Sequence, residues 1–534
     1  MVVKKSLKLD RAAYPEDVGV SSAKIAEFLE DLDKSDIEVH SIMVLREGKV
    51  AFEFWHKPYA AHIPHTMYSV SKSFTSAAVG FAVDEGLITV NTKVIDIFPE
   101  YRPIQPGENL EKLTVFHLLT MTAGKDVSFL ADKTKNQWIK DFFDAKWAFA
   151  PGERWRYISE NTYMLCAILH RVTGMSVIDY LMPRLFEPLG IERPFWETDG
   201  NGVEAGGWGL FIKTEDFAKF MLCYSQGGKF DGKQIIPERW AKDSVKALVD
   251  NEEYDAMDCR SGYGYCFWRN HGCPNSYRAD GMFSQFGIVF EDYNAVFIFT
   301  SSEVFEQKAR DCIWRHFPDA FIEPKSEPYA DQSLKKRLTL PPLPELQKTA
   351  RSYATERRIE SKIIRMRKPF AINEIGYPVS MMPLAVFYMS ADKAGNIDYI
   401  RFRFDEATCK MSWSEGKERN TILCGMDGVA RRCKITLGGI DFTVTCTAAW
   451  KNENTLEVWV RPLESIAQRR LTFIFAGNRV RMILRSSPEL KRISENIAES
   501  CAEMFDNPML IKLFQLILEK GHGILEPTHR GQIM

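Results

Sequence analysis

Residues 69–87, SVSKSFTSAAVGFAVDEGL, decide how this chain is read. Small residues fill roughly four turns between Ser69 and Gly86, a composition suited to a helix packed inside a protein. Gly86 stands where a left-handed C-cap would end that helix. Upstream, residues 41–55, SIMVLREGKVAFEFW, alternate apolar and polar residues on either side of Glu47-Gly48, which predicts a β-hairpin turning at the glycine. Ser69 therefore stands where strands give way to a helix. Lys72 follows three residues later, on the same helix face. A serine hydroxyl is a poor nucleophile until a neighbouring base takes its proton, and a lysine can be that base once burial weakens its hold on its own proton.

The spacing is not specific by itself, because Ser-x-x-Lys occurs five times, starting at Ser21, Ser69, Ser333, Ser390 and Ser414. Only Ser69 opens a run of small residues that predicts a dry environment for the amine. The other four read as chance on a polar surface.

Working outward, further mixed segments follow: LTVFHLLTMTAG (113–124), a helix through Tyr163 to Val172 ending at Gly174, and TEDFAKFMLCYSQGG (214–228) ending at Gly227. Strand-like runs return in GYGYCFW (262–268) and across FGIVFEDYNAVFIFTSSE (286–303). Strands, many helices, then strands is the order of an α+β domain whose antiparallel sheet collects both ends of the segment, here residues 14–320. Residues 323–345 carry five prolines among many charges, so 321–349 reads as an extended linker. Beyond it, YIRFRF, DFTVTCTAAW, NTLEVWVRPL and RLTFIFAGNRVRMILRSS alternate with period two, predicting an antiparallel β domain within 350–534. Residues 487–505 and 508–521 read as helices closing the chain.

Several segments, in order, resemble the serine β-lactamase and penicillin-binding-protein family, in particular class C β-lactamases and their esterase and D-aminopeptidase relatives. They are MYSVSKSFTSAAVGFAVDEGLITVNTKVIDIFPEY (67–101), LTVFHLLTMTAG, PGERWRYISENTYMLCAILHRVTG (151–174), GGWGLFIKTEDFAKFMLCYSQGGKFDGKQIIPERW (206–240) and RADGMFSQFGIVFEDYNAVFIFTSSE (278–303). The resemblance spans about residues 14–318. It implies an antiparallel sheet with flanking helices and a helical subdomain, Ser69 as nucleophile and Lys72 as its proton acceptor. The family's second motif, Tyr-x-Asn or Tyr-x-Ser, falls on Tyr157-Ile158-Ser159, giving Tyr157 a proton-transfer role and Ser159 a positioning one. Its third motif, Lys-Thr-Gly or His-x-Gly, falls on Ala279-Asp280-Gly281, to which substrate-binding or positioning roles are carried over. The backbone N–H groups of Ser69 and Met282 would form the oxyanion hole.

The third motif departs from the family pattern in an informative way. Gly281 keeps the residue that allows close backbone approach, but the cationic side chain is missing at Ala279. Arg278 is adjacent, yet period-two alternation sends it to the opposite face. His529-Arg530-Gly531 matches His-x-Gly only at the chain's tail and reads as accidental. The run Gly227 to Lys233 has P-loop spacing but lacks the following Ser or Thr, and reads as a surface turn.

Composition narrows the classes further. Lys plus Arg number 69 against 71 Asp plus Glu, so no overall field draws the chain to nucleic acid. The N-terminus lacks the apolar stretch of a secretory signal and no segment reaches membrane-span length, so a cytoplasmic protein is expected. Eleven cysteines, without a CxxC pair, read as reduced packing thiols. No metal or organic cofactor is expected. The reading is a serine hydrolase of esters or amides acting on a small molecule or peptide. The alternatives are a β-lactamase or D-amino-acid peptidase, and a binding or sensor module without turnover. The C-terminal domain is expected to shape substrate access or a homo-oligomer contact.

Overall fold

The computed structural model describes residues 8–105, 107–126, 137–252, 257–324, 337–367, 397–489, 491–492, 526 and 528–534. The chain divides into two units, Met1–Pro341 and Pro342–Met534. The division falls inside the proline-rich stretch. Phe321, at the start of that stretch, is bridged to Val20 and buried in the first unit's core.

The first unit is built on α1 (Ser22–Lys34), β1 (Val39–Arg46), β2 (Lys49–Trp55), α2 (Ser71–Asp84), α3 (Glu160–Thr173), α4 (Thr214–Ser225), β3 (Trp268–Arg269), β4 (Ser276–Gly281), β5 (Gln285–Phe290), β6 (Ala295–Ser301) and α5 (Glu306–Trp314). Glu47 and Gly48 both take positive φ, 51° and 74°, the two-residue turn whose twist suits a tight hairpin, and Arg46 pairs with Lys49 across it. The sheet runs β3-β4-β5-β6-β1-β2, and β6 pairs antiparallel with β1, so segments from the two ends of the unit meet at the centre.

Each face of the sheet is covered by helices for a readable reason. On one face Phe28 of α1 meets Phe297 edge-on at 5.8 Å, within a core that also takes in Ile313 of α5. On the other, Gly287 leaves room for α4: a Cβ there would stand 2.5 Å from the Phe217 ring. Phe220 of α4 in turn stacks on Phe74 of α2 at 3.8 Å. Helix α2 is buried from Ser71 to Ala82, and its small residues permit this: a Cβ on Gly80 would lie 2.4 Å from Trp240.

The second unit is a β-barrel. Its strands are β7 (Ile364–Met366), β8 (Ile397–Phe404), β9 (Thr408–Glu415), β10 (Glu418–Gly425), β11 (Arg431–Leu437), β12 (Ile440–Asn452), β13 (Thr455–Pro462), β14 (Gln468–Ala476), β15 (Arg479–Ser487) and β16 (His529–Ile533). They run β10-β9-β8-β7-β16-β15-β14-β13-β12-β11, and a parallel bridge from Gly425 to Thr447 closes the ring. The four alternating segments of the sequence correspond to β8, β12, β13 and the β14–β15 hairpin. One expectation needs correction: the chain was expected to close in helices. The chain's tail returns as strand β16 between β7 and β15, where Gly531 is needed because a Cβ would meet Met366 Sδ at 2.7 Å. The helices expected over 487–505 and 508–521 lie almost wholly outside the described residues.

Candidate active site

The site begins with a strained turn. Tyr68 has a positive φ of 45°, unusual for an aromatic residue, and it starts the 3₁₀ turn Tyr68–Val70 that runs directly into α2. That turn leaves Ser69 partly exposed while Lys72, one turn on, is only 1% exposed. Lys72 Nζ lies 2.8 Å from Ser69 Oγ, 3.0 Å from Ser159 Oγ and 2.8 Å from the Gly207 carbonyl oxygen. These three neighbours occupy the three hydrogen-bonding directions of an amine. Burial lowers the Lys72 pKa to about 7, against weaker opposing pulls from Cys266, Glu160 and Asp280. A substantial neutral fraction therefore exists near pH 7, and its lone pair can accept the Ser69 proton.

Tyr157 completes the inner group. Its hydroxyl hydrogen-bonds to Ser69, and its ring centroid lies 4.7 Å from Lys72 Nζ. Burial holds the phenol well above the usual tyrosine range, so it stays a neutral O–H that can relay a proton. Ser159 is the N-cap residue of α3, and it reaches Lys72 from there.

Strand β4 passes close beside the Tyr68–Val70 turn at Gly281. A Cβ at this position would stand 2.3 Å from the Met67 carbonyl oxygen and 3.3 Å from Val70 Cγ2. Met282 follows in a turn where Phe283 and Ser284 both have positive φ, 62° and 63°. Several contacts hold that turn: Phe283 N–H donates to Glu306 Oε1 at 3.1 Å, and Gln285 Nε2 donates to the carbonyls of Phe283 at 2.7 Å and Met282 at 3.3 Å. The Phe283 ring also meets Tyr68 edge-on at 5.0 Å. These contacts fix the backbone of the turn that follows Gly281.

Ala279 is fully buried and offers no charge. Arg278 and Asp280 share the opposite face of the strand, as alternation requires. Arg278 Nε donates to Asp280 at 2.5 Å, and Nη1 donates to Asn270 Oδ1 at 2.5 Å and the Asp258 carbonyl at 2.9 Å. Arg310 of α5 adds a second cation to Asp280 at 3.2 Å. Asp280, expected among the substrate-binding or positioning residues, is thus placed in a buried ion network behind the strand, because its neighbours on that face are cations.

Of the other Ser-x-x-Lys serines, Ser21 caps α1 by accepting from Lys24 N–H, and Ser414 lies on β9. Ser333 and Ser390 lie outside the described residues. His529 sits in β16, in the second unit. The run 227–233 is part of a short hairpin, Lys229–Phe230 against Lys233–Gln234.

Two features escaped the sequence reading. The Gly207 carbonyl is the third acceptor for Lys72, and its approach depends on the missing side chain, since a Cβ would lie 2.8 Å from Ser159 Cβ and Thr162 Oγ1. The pair Gly206-Gly207 was the available signal. Beside Tyr157 stands an aromatic wall: Trp268 lies 5.3 Å from its ring, Trp155 6.0 Å and Tyr263 6.3 Å.

Residues 24–317 match the family described as Beta-lactamase. The chain belongs to the β-lactamase family. It is 24% identical over 267 residues to the 6-aminohexanoate-dimer hydrolase of Paenarthrobacter ureafaciens, covering 46% of this chain and 66% of that protein. It is 23% identical over 238 residues to the β-lactamase of Escherichia coli, covering 42% and 60%. A penicillin-binding-protein homologue from Caulobacter crescentus superposes with a TM-score of 0.47 at 15% identity, covering 55% of this chain and 97% of that one. The matched region spans from about a third to two thirds of the length of the curated relatives. Members of this family include hydrolases, esterases and amidases, and the β-lactamase fold lies in the first unit. Among the described residues no single helix is long and apolar enough to cross a membrane.

Proposed function

We propose that the protein is a serine hydrolase that cleaves an ester or amide bond of a small, uncharged acyl compound or peptide through an acyl-enzyme on Ser69. The observation that carries this reading is the buried Lys72 amine 2.8 Å from Ser69 Oγ. In the first step neutral Lys72 takes the Ser69 proton and Oγ attacks the acyl carbon. The carbonyl oxygen becomes an oxyanion facing the N–H groups of Ser69 and Met282. Tyr157 gives its proton to the leaving alcohol or amine and is reprotonated from Lys72. Water then attacks the acyl group by the same relay in reverse, freeing the acid and restoring Ser69.

The preference for an uncharged acyl group rests on two residues. Ala279 supplies no cation, and the Arg278 guanidinium is committed to Asp280, Asn270 and the Asp258 carbonyl. A free cation would favour a carboxylated substrate by about 1.5–3 kcal/mol. Its absence removes roughly 10–100-fold of that discrimination.

Two measurements test the reading together. A fluorophosphonate probe is expected to add once per chain, at Ser69, and not to the Ser69→Ala protein. A panel of short-chain aryl esters, neutral amides and cephalosporins is expected to give kcat/KM values about 10–100-fold higher for the best uncharged substrate than for any cephalosporin. A probe adduct on another serine overturns the nucleophile. Cephalosporins as the best substrates would overturn the substrate class.

A further inference from the structure

Four cysteines of the second unit converge where its barrel closes. Cys409 and Cys424 are direct cross-strand partners on β9 and β10. Cys433 of β11 pairs with Val444 of β12, which puts Cys446 two residues along on the same side of that ladder. The Cys446 thiol hydrogen-bonds to both Cys424 and Cys433. Among the described residues no three donors are arranged to hold a metal ion, so ligation does not explain the group.

Cys433 differs from its neighbours in two ways. Among the described cysteines it alone is not buried. Its sulfur also substitutes for a backbone rung: the Leu423 N–H of β10 donates to Cys433 Sγ at 3.1 Å. Side chains carry other contacts along this seam, with Asn420 bonding the Thr436 N–H and C=O and Glu418 accepting from the N–H groups of Gly438 and Gly439. Donation from the Cys446 thiol and the Leu423 N–H lowers the Cys433 pKa to about 6, against burial. Burial pushes Cys446 well up, so it remains a thiol.

We propose that Cys433 is a peroxide-reactive thiol and Cys446 its resolving partner, a reversible oxidation site at the barrel seam. The Cys433 thiolate attacks the terminal oxygen of a hydroperoxide; an S–O bond forms, the O–O bond breaks, and the alkoxide, or hydroxide from hydrogen peroxide, leaves and takes a proton from solvent to become the alcohol or water. Cys433 is thereby oxidised by two electrons to the sulfenic acid. Cys446 sulfur then attacks the Cys433 sulfur; the S–S bond forms, hydroxide leaves, and it takes the Cys446 proton to become water. The two cysteines sit diagonally across the ladder rather than directly opposite, a spacing of about 7–8 Å between backbones that a disulfide spans only with local strand movement. A cross-link of that kind is readily reduced, as a switch requires. Its formation withdraws the Cys433 acceptor from the Leu423 N–H and loosens the β10–β11 seam.

The test uses the full-length protein. Under native conditions at pH 7, iodoacetamide is expected to alkylate Cys433 about 10-fold faster than any buried cysteine. After one equivalent of hydrogen peroxide, labelling of Cys433 and Cys446 should fall together, peptides linked through these two residues should appear, and dithiothreitol should restore both. In the Cys446→Ala protein, dimedone is expected to trap a sulfenic acid at Cys433. Amide exchange at Leu423 should speed up on oxidation. Alkylation of Cys433 no faster than the buried cysteines overturns the reactive thiol. Peroxide treatment that leaves Cys446 reduced overturns the pairing.

Discussion

Replacing Lys72 by methionine is expected to lower kcat/KM for the best ester by about 10²–10⁴-fold, the usual contribution of a positioned general base. Ser69→Ala should cost at least as much, and the double variant little more than the worse single one, since the pair acts as a unit. In the wild type, kcat/KM should rise as pH passes about 7, where the buried amine loses its proton, and Lys72→Met should lose that rise. Tyr157 adds no opposing fall at moderately alkaline pH, because its phenol stays protonated.

The same amine has a measurable effect on stability. Its pKa is about 7 in the folded protein against an ordinary 10.5, so between these values the unfolded chain binds more protons. Stability from this group therefore rises with pH across that window, and below pH 7 the full cost of a buried ammonium is present. The thermal midpoint of the wild type relative to Lys72→Met should climb from pH 7 to pH 10. A flat difference would mean an amine charged throughout that range, which could not serve as a base at neutral pH.

Gly281→Ala is expected to reduce kcat by about 10²–10³-fold, the measured scale for losing one oxyanion donor. The added methyl would stand 2.3 Å from the Met67 carbonyl oxygen, and backbone on both sides resists movement. Strand β4 must withdraw from the Tyr68–Val70 turn, separating the N–H groups of Ser69 and Met282. Because an oxyanion contact forms only as the reaction proceeds, KM should change little. Circular dichroism should report an intact fold, and fluorophosphonate labelling should slow in parallel with kcat. Wild-type kcat in Gly281→Ala would remove the support for Met282 as an oxyanion donor.

Much of the first unit was legible because its signals are local. The Glu47-Gly48 turn depends on two adjacent residues that accept positive φ, and the hairpin follows from alternation on either side of it. Helix α2 follows from a run of small residues, and the Ser69–Lys72 contact from a spacing of three on one helical turn. Period-two alternation separated Arg278 from Ala279, but it does not reveal what a side chain meets: the ion pairs of Asp280, a residue expected to bind or position substrate, with Arg278 and Arg310 were not legible. In the second unit the strongly alternating strands were readable. β7, β9, β10, β11 and β16 were not read; in β10, β11 and β16 charged residues such as Arg419, Arg432, Lys434 and Arg530 face outward and the inward positions include polar or small residues such as Asn420, Gly425 and Gly531.

The sequence by itself determined where the turn carrying Ser69 lies, which lysine reaches that serine, and that the expected cation of the third motif is absent from Ala279. Tertiary structure alone decided that Lys72 would be dry and fully partnered, because Ser159 lies 87 residues away along the chain and the Gly207 carbonyl 135. It also decided that four scattered cysteines would meet at the closing seam of a barrel. The physical reason is the same in both cases. Every residue carries a backbone carbonyl, and a cysteine's reactivity depends on which N–H or thiol faces its sulfur, so neither property is marked by a residue's identity until distant strands and helices have been brought together.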